Sequence, residues 1–196
     1  MPSTNKEIAI IILAAGASIR MGKIKQLLPD KNTTLLGHTI LTANSCDKDV
    51  FTIVGAHADQ IKKEVKESTL FLEHADWEEG LGSTLSFAIS SIGSFKKYKA
   101  ILILLADQPL IDKAYILKMI ETFTSTGKGI VATEYEDGVG VPAIFDTPYF
   151  PILSGLKKDE GAKHILQQYK KDSLYLNGKD KTLDVDTVED YNKIVQ

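Results

Sequence analysis

The hydrophobic residues of this chain form short continuous runs that alternate with longer segments of mixed apolar and polar residues. Residues 8–13 (IAIIIL) and Ala100–Leu105 (AILILL) are apolar throughout, which is typical of strands buried on both faces of a sheet. Residues 81–92 instead repeat their apolar side chains at helical spacing. The pattern predicts further strands at 50–54, 69–72 and 129–133, and helices at 35–44, 58–67 and 113–124.

The alternation changes after Val131. Strands are predicted at 142–145, 173–176 and 183–185, and helices at 160–169 and 188–195. Strands that alternate with helices favour a mostly parallel sheet covered by helices on both faces. We therefore expect an α/β protein: a three-layer α/β/α sandwich whose Rossmann-like sheet has a mixed late edge, with one domain spanning residues 1–196.

Composition narrows the functional classes. The 196 residues are 43% hydrophobic, enough for one core, and the net charge of −3 argues against a nucleic-acid backbone or an anionic membrane as partner. No run approaches the roughly 20 apolar residues that cross a bilayer. We interpret the first apolar run as a strand and not a signal peptide, because no basic leader precedes it. The single cysteine, Cys46, cannot form a disulfide within the chain, which favours a cytoplasmic protein.

The loop after the first strand is a candidate site, because ligands of open α/β sheets bind at the carboxyl ends of strands. It combines small residues, two glycines (Gly16 and Gly22), the hydroxyl of Ser18 and three cations, among them Arg20 and Lys25. Small residues allow the backbone to approach a ligand closely, and cationic side chains pair with phosphate oxygens. The loop matches neither a Walker A motif nor G-x-G-x-x-G. It predicts a phosphate-binding site, with an ordinary basic surface loop as the alternative.

A carboxylate follows the strand Ala100–Leu105. Asp107 stands one residue beyond this strand, and Pro109 prevents the strand from continuing. A carboxylate at a strand tip is well placed to hold a hard cation. The alternative is that Asp107 caps a helix or closes a turn.

A second acidic segment lies near the carboxyl terminus. Asp184 and Asp186 alternate along the chain, so an extended backbone places them on one face. One interpretation is a metal site. The other is that Asp186 or Thr187 caps the following helix, with Glu189 or Asp190 in its first turn, and the two roles do not exclude each other.

These segments carry a resemblance to a known family. Leu13-Ala14-Ala15-Gly16-x-Ser18-x-Arg20-Met21-Gly22-x-x-Lys25 resembles the signature of the nucleotidyltransferases that attach a nucleotide to molybdopterin, and most closely that of the molybdenum cofactor cytidylyltransferases. The resemblance runs from about residue 8 to residue 191 and implies a fold like that of nucleotide-diphospho-sugar transferases. Further matches follow in the same order: Lys25-Gln26-Leu27-Leu28, Val54-Gly55-Ala56, Trp77-x-x-Gly80-Leu81-x-x-Thr84-Leu85, Leu105-Ala106-Asp107-Gln108-Pro109-Leu110, Pro142-Ala143-Ile144-Phe145, Asp159-Glu160-Gly161-Ala162 and Asp184-Val185-Asp186-Thr187-x-Glu189-Asp190-Tyr191.

The resemblance implies a role for each matching position. Asp107 would hold Mg²⁺, with Asp186 as the second carboxylate ligand and Asp184 as its substitute. Arg20 and Lys25 would neutralise the triphosphate and, with Asp107, act in catalysis. The nucleotide would be bound by Leu13, Ala14, Ala15, Gly16, Ser18, Arg20, Gly22, Lys25, Gly80 and Ser83.

The implied reaction transfers a nucleotide, in the first place CMP from CTP, to the terminal phosphate of molybdopterin or a related phosphorylated acceptor, and releases pyrophosphate. The attacking phosphate monoester is already largely ionised near neutral pH, so no general base is required. Mg²⁺, Arg20 and Lys25 would align the two anions and stabilise the leaving group. A molybdoenzyme or a maturation factor would be the protein partner, while no nucleic acid and no membrane are expected as partners.

Several positions depart from the family pattern and keep alternatives open. Val141 stands where relatives often carry a histidine, so a sugar or polyol phosphate is the alternative acceptor. Gln108 resembles the cytidylyl branch more than the guanylyl branch. A non-catalytic nucleotide- or cofactor-binding chaperone is the alternative of another class, and it would not need Asp107. Trp77 is expected as a packed lid or core residue, with base stacking as the alternative. Smaller departures from the family pattern occur at Ile24, Ala106 and Val188.

Overall fold

The computed structural model describes residues 7–93, 98–158, 160–178 and 181–194. The strands in these ranges are β1 Ile8–Ala14, β2 Pro29–Asp30, β3 Thr33–Thr34, β4 Asp49–Val54, β5 Leu70–Glu73, β6 Ala100–Leu105, β7 Ile130–Tyr135, β8 Gly138–Asp146 and β9 Ser173–Asn177. Within the described residues, seven of them form one sheet in the order β5-β4-β1-β6-β8-β7-β9, and β2 and β3 form a separate antiparallel ribbon.

The sheet is parallel except for one strand. β1 lies in the interior of the sheet and pairs in parallel with β4 and β6, so that Ile11 is opposite Phe51 on one side and Ile103 on the other. β8 runs antiparallel to both of its neighbours, β6 and β7. The predicted mostly parallel sheet with a mixed late edge is thereby confirmed. The predicted strand at 142–145 is the second half of the longer β8.

Helices cover both faces, because alternate residues of the buried strands point in opposite directions. Ile10 and Ile12 of β1 pack on the face covered by the first, second and fourth helices, whereas Ile11 packs on the face covered by the third, fifth and sixth. The three-layer α/β/α sandwich is therefore confirmed. The helices are α1 Leu35–Asn44, α2 Ala58–Glu64, α3 Leu81–Gly93, α4 Lys113–Thr126, α5 Phe150–Leu153, α6 Lys163–Gln168 and α7 Val188–Ile194.

Three predicted elements differ from the structure. The predicted strand at 183–185 is wrong: this segment has no regular structure, and the N–H of Val185 donates instead to the carbonyl of Asp107, 2.9 Å away, beyond the end of β6. α2 is shorter than predicted because the backbone of the buried Val65 is extended. α6 likewise begins at Lys163 and not at residue 160. Of the residues named from sequence, Asp159 and Val195 lie outside the described residues.

A small third cluster joins the carboxyl-terminal segment to the loop after β1. Val185 is fully buried against Met21 of that loop and against Leu28 and Leu35, and Tyr191 packs beside them. This contact brings the acidic segment around Val185 back to the carboxyl edge of the sheet. Every helix in the described ranges is too short or too polar to cross a membrane.

Candidate functional site

A cleft of about 510 Å³ opens at the carboxyl ends of β1 and β6, and we call it the first cleft. Two of the residues that the sequence assigned to nucleotide binding, Gly22 and Ser83, do not line it. Asp184, the predicted substitute metal ligand, does not line it either. The other predicted site residues all do: Leu13, Ala14, Ala15, Gly16, Ser18, Arg20, Lys25, Gly80, Asp107 and Asp186. Residues separated by up to 173 positions in the chain thus meet at one edge of the sheet.

The loop after β1, which lines the first cleft, is stabilised by hydrogen bonds with Gln26. This role of Gln26 was not predicted from the sequence. Gln26 is 2% exposed, and its amide nitrogen donates to the carbonyls of Ala14 and Gly16 at 2.9 and 2.8 Å. Its amide oxygen accepts from the hydroxyl of Ser18 at 3.1 Å, and that hydroxyl accepts from the backbone N–H of Lys25 at 3.2 Å. Both ends of the loop are therefore tied to one side chain. The sequence feature that could have indicated a buried Gln26 is its position beside two leucines in Lys25-Gln26-Leu27-Leu28.

The loop contains two short 3-10 turns, Ile19–Met21 and Lys25–Leu27. The first is bounded by Ser18 and Gly22, which have φ angles of 57° and 61°. A side chain is disfavoured at such angles, which explains the glycine at the second position. Gly22 therefore shapes the loop from outside the cleft wall.

Three charged side chains form a triad on the floor of the first cleft: Lys25, Asp107 and Asp186. The ammonium of Lys25 is 2.5 Å from Asp107 Oδ2 and 3.0 Å from Asp186 Oδ1. Arg20 Nη2 is 2.9 Å from Asp186 Oδ2. The side chains of Lys25 and Asp107 are both 17% exposed, whereas that of Arg20 is 73% exposed while it pairs with Asp186.

The charged groups on the floor of the first cleft stabilise one another's ionised forms. Burial acts to lower the pKa of Lys25, but attraction and hydrogen bonds from Asp107 and Asp186 outweigh it and raise that pKa above its usual value. Burial acts to raise the pKa of Asp186, yet Lys25 and Arg20 together bring it below the usual value. Lys25 is therefore cationic and Asp186 anionic at neutral pH.

The carboxylates fit a hard divalent cation. Asp107 Oδ1 is buried and has no hydrogen-bond partner among the described residues, so a buried anionic oxygen is left for a ligand. Magnesium prefers oxygen ligands and keeps few protein carboxylates, with phosphate and water completing its shell. Within the described residues no group of three or more His, Cys, Asp or Glu side chains is arranged around a metal position. Asp107 and Asp186 would hold such an ion only together with a phosphorylated ligand.

The structure also shows which residues cap the helices that follow the two acidic segments. Thr187 and Asp190 cap α7 reciprocally: the Thr187 hydroxyl accepts from the Asp190 N–H at 3.2 Å, and Asp190 Oδ2 accepts from the Thr187 N–H at 3.1 Å. Asp112 caps α4 by accepting from the N–H of Tyr115 at 2.8 Å. Among the helices that the structure describes, neither Asp107 nor Asp186 serves as a cap, and both side chains line the first cleft.

Trp77 forms part of the opposite wall. It begins the 3-10 turn Trp77–Glu79 and is half-buried. A Cβ atom placed on Gly55 would lie 2.4 Å from that of Trp77, so the glycine permits this close packing. Trp77 therefore packs on Gly55 and also lines the first cleft, so its role as a packed residue or as a base-stacking one stays a prediction. The hydroxyl of Ser83 is 3.0 Å from His74 Nε2 and donates to Glu79 at 3.1 Å, away from the cleft lining.

A second cleft of about 280 Å³ adjoins the first and shares Leu13, Leu81 and Leu105 with it. Gln108, which follows Asp107 directly, lines this second cleft and is 2% exposed. Its amide nitrogen donates to Asp184 Oδ1 at 2.8 Å and to the hydroxyl of Tyr135 at 3.0 Å. Asp184 and Asp186 therefore serve different clefts.

A loop, two cations and two carboxylates that converge on one cleft can bind a nucleoside triphosphate and a divalent metal ion together. This is the requirement for nucleotidyl transfer, in which positioning and charge neutralisation supply most of the catalysis.

The comparisons with known proteins agree. The profile of the MobA-like NTP transferase domain matches residues 10–173, and the chain belongs to this family of nucleotidyltransferases. Purine catabolism protein PucB of Bacillus subtilis (strain 168) is 28% identical over 200 residues, which cover 94% of each chain.

Solved structures are similar over nearly the whole chain. The homologue of Mycobacterium tuberculosis Rv0371c from Mycobacterium sp. strain JC1 is 30% identical, with a TM-score of 0.81 over 96% of this chain and 95% of that one. The complex of Rv0371c with manganese, from M. tuberculosis H37Rv, is 26% identical, with a TM-score of 0.77 over 97% of this chain and 98% of that one. A divalent metal ion therefore occurs in a protein of this fold and similar sequence.

Proposed function

We propose that the chain transfers CMP from CTP to the terminal phosphate of molybdopterin or a related phosphorylated acceptor, in a reaction that depends on Mg²⁺ and releases pyrophosphate. The observation that carries this proposal is the convergence of Lys25, Asp107 and Asp186 on the floor of the first cleft, with Arg20 above them. A second support is Asp107 Oδ1, a buried carboxylate oxygen that has no hydrogen-bond partner in the part of the chain that the structure describes and that suits a metal ion.

In the proposed mechanism the loop after β1 binds the triphosphate through its backbone. The side chain of Gln26 donates hydrogen bonds to the carbonyls of Ala14 and Gly16, so the backbone at these positions is already fixed before CTP binds. Arg20 is exposed enough to pair with the β- and γ-phosphates. Lys25 neutralises charge nearer the α-phosphate, beside Asp107.

The acceptor phosphate attacks the α-phosphorus, the bond to the bridging oxygen of the pyrophosphate breaks, and pyrophosphate leaves. No side chain needs to remove a proton, since the attacking phosphate is already ionised. Magnesium bound by Asp107 and Asp186 would neutralise charge on the phosphates. The task of the protein is to keep two anions aligned, which Arg20 and Lys25 perform by electrostatics.

Two finer features belong to the same proposal. Gln108, in Asp-Gln-Pro, supports CTP as donor because it resembles the cytidylyl branch of the family. A protein of this activity would work as one domain in the cytoplasm and pass its product to a molybdoenzyme or a maturation factor, and the buried, unpaired thiol of Cys46 is compatible with a reducing compartment.

The test is a pyrophosphate-release assay that combines CTP, GTP, ATP or UTP with each acceptor. The acceptors are molybdopterin and a panel of sugar and polyol phosphates, assayed with Mg²⁺, with Mn²⁺ and with a chelator. We expect turnover with CTP and molybdopterin, and none with the chelator. Turnover with a sugar or polyol phosphate alone would transfer the proposal to that acceptor class, and nucleotide binding without turnover of any acceptor would support a chaperone instead.

A further inference from the structure

The resemblance assigns Ser83 to nucleotide binding, but its hydroxyl belongs to a chain of hydrogen bonds outside the lining of the first cleft. It lies 3.0 Å from His74 Nε2 and 3.1 Å from Glu79 Oε2, and we call these three side chains the anchor chain. A carboxylate accepts and does not donate, so the Ser83 proton is directed to Glu79. The Ser83 oxygen therefore accepts from His74, whose Nε2 carries a proton.

The direction of these bonds excludes a nucleophilic serine at this place. An activated serine donates its hydroxyl proton to an imidazole, and a carboxylate orients that imidazole from the other side. In the anchor chain the imidazole donates to Ser83, and the carboxylate of Glu79 is bonded to the serine. The chain is therefore suited to hold groups in place and not to activate them.

The His74 end of the anchor chain is fixed in the core. His74 is 6% exposed, and its backbone N–H donates to the carbonyl of Val54 at 2.8 Å. Its ring stacks on that of Phe87, with the two centroids 4.7 Å apart and the planes inclined by 20°. Because packing and a backbone bond fix this residue, its Nε2–H has a set direction toward Ser83.

The Glu79 end belongs to the wall of the first cleft. The 3-10 turn Trp77–Glu79 supplies Trp77 and Glu78 to the lining, and Gly80 follows in the same wall. Glu78 and Glu79 are exposed, and a 3-10 turn of three residues has poor hydrogen-bond geometry of its own. The position of this wall therefore depends on contacts with the rest of the protein, and the anchor chain is one that reaches the core.

We propose that His74 is a positioning residue of the first cleft, which acts through Ser83 and Glu79 to hold the wall Trp77–Gly80 where a bound nucleotide meets it. The inference rests on the proposed function in one respect, since it takes the first cleft to be the site of the nucleoside triphosphate. His74 lines neither the first nor the second cleft, so it acts through the wall and not by contact with a ligand.

The expected consequence of breaking the anchor chain is a loss of affinity and not of chemistry. Lys25 and Asp107 are paired with each other on the floor of the cleft, away from this wall, and should keep their arrangement. A loosened wall must be ordered again when the nucleotide binds, which lowers affinity. KM for the nucleotide should therefore rise, while kcat stays within about twofold of the wild type.

The test uses Trp77, the single tryptophan of the sequence, whose fluorescence reports directly on the wall. His74→Phe keeps a ring that can stack on Phe87 but removes the N–H that Ser83 receives. Without any ligand, acrylamide should quench this variant about twofold more strongly, because the half-buried Trp77 becomes exposed when the wall loosens. In calorimetry CTP, with GTP as a second probe, should bind about tenfold more weakly.

Three further variants separate the N–H group of His74 from its bulk. His74→Gln carries an N–H donor at the same number of bonds from the backbone and should restore the wild-type values. Ser83→Ala breaks the anchor chain in its middle and should reproduce the effect of His74→Phe, and the double variant should be no worse than either one. Ser125→Ala, at an exposed position of α4 outside both clefts, is the matched control.

Wild-type quenching in both His74→Phe and Ser83→Ala would overturn the proposal, since the wall would then be held without the anchor chain. Additive losses in the double variant would overturn it as well, and so would a His74→Gln protein that behaves like His74→Phe. If His74→Phe fails to fold, Ser83→Ala, at a partly exposed position, decides the question by the same two measurements.

Failure of this inference is distinguishable from failure of the proposed function. The quenching measurement needs neither nucleotide nor acceptor, so a looser wall in the variants of a protein that does not transfer CMP would remove the proposed reaction and leave the inference standing. Transfer of CMP to molybdopterin with unchanged KM in both His74→Phe and Ser83→Ala would leave the reaction standing and remove the positioning role of His74.

Discussion

The two clefts at the carboxyl edge of the sheet share part of one wall but present opposite kinds of chemistry. The first holds a network of full charges, in which Lys25 lies between Asp107 and Asp186. The second presents a neutral amide and mainly aliphatic surface, with Asp137, Lys163 and Asp184 as its charged lining residues. The division passes between adjacent residues, since Asp107 lines the first cleft and Gln108 the second.

The carboxyl-terminal segment repeats this division. Asp186 pairs with the cations of the first cleft, and Asp184 accepts from Gln108 in the second. Val185 lies between them, buried, with its N–H bonded to the carbonyl of Asp107. Two short segments joined by one backbone hydrogen bond therefore each supply a polar side chain to both clefts. The comparison teaches that neighbouring residues can line different clefts, so a variant in each cleft should have a distinct effect.

The largest effect is expected for Asp107→Ala. Removal of the carboxylate beside Lys25 should lower kcat for nucleotidyl transfer by about 10³-fold or more, because a central electrostatic group of the first cleft is lost. The fold should remain, as judged by circular dichroism. Asp59→Ala, on the exposed first turn of α2, is the matched control. Activity of Asp107→Ala within a few-fold of wild type in the presence of magnesium would contradict the assignment of Asp107 as a metal ligand.

Arg20→Ala should have the next largest effect. The affinity for CTP in calorimetry should fall about 10- to 100-fold, since a charge-assisted contact to phosphate is lost, while the affinity for cytidine should hardly change. Lys23→Ala removes a cation of the same loop that does not line the cleft, and it should behave as wild type. An equal loss for CTP and cytidine would mean that Arg20 is only structural.

Gln26→Leu tests whether the first cleft depends on its prearranged loop. Three partners, the carbonyls of Ala14 and Gly16 and the hydroxyl of Ser18, lose their bonds in this variant. The free energy of unfolding should fall by about 2 kcal/mol in urea titrations, and CTP should bind about tenfold more weakly. Gln168→Leu, an exposed position of α6, is the control. A destabilised protein with unchanged CTP affinity would show that Gln26 supports the fold alone.

The smallest effect concerns pH and separates the two aspartates. The folded pKa of Asp186 lies below the usual value of 3.8, so its ionised form stabilises the fold above that pH, and this contribution is lost as pH falls through the lowered pKa. For Asp184 the pKa is raised, first by burial and then by repulsion from Asp107 and Asp186, so its contribution has the opposite sign and is lost as pH rises.

This difference is measurable with two isosteric variants in the presence of a chelator. At pH 7, Asp186→Asn should lower the free energy of unfolding by about 0.5 kcal/mol, whereas Asp184→Asn should leave it unchanged or raise it slightly. Both differences should shrink toward pH 3. Shifts of the same sign for both variants at pH 7 would contradict the assignment of the two carboxylates to different electrostatic surroundings.

Much of the fold could be predicted because two interior strands of the sheet, β1 and β6, are continuous apolar runs. Residues 8–13 and Ala100–Leu105 required burial on both faces, which only a central position in a layered sheet provides. The strand predicted at 183–185 failed for a definite reason. Its alternation of apolar and acidic residues resembles a half-buried strand, but Val185 is buried in a small separate cluster and its N–H bonds to a turn.

The sequence by itself determined the central strands, the composition of the loop after β1, and the candidate residues, because apolar periodicity and short motifs are local properties. The tertiary structure alone decided how these residues divide. Only folding brings Asp186 to Lys25, leaves Asp107 Oδ1 and Gln108 Oε1 without partners among the described residues, and makes Gln26 the support of the loop. Hydrogen-bond direction and burial depend on chain segments far apart in sequence, and no local pattern contains them.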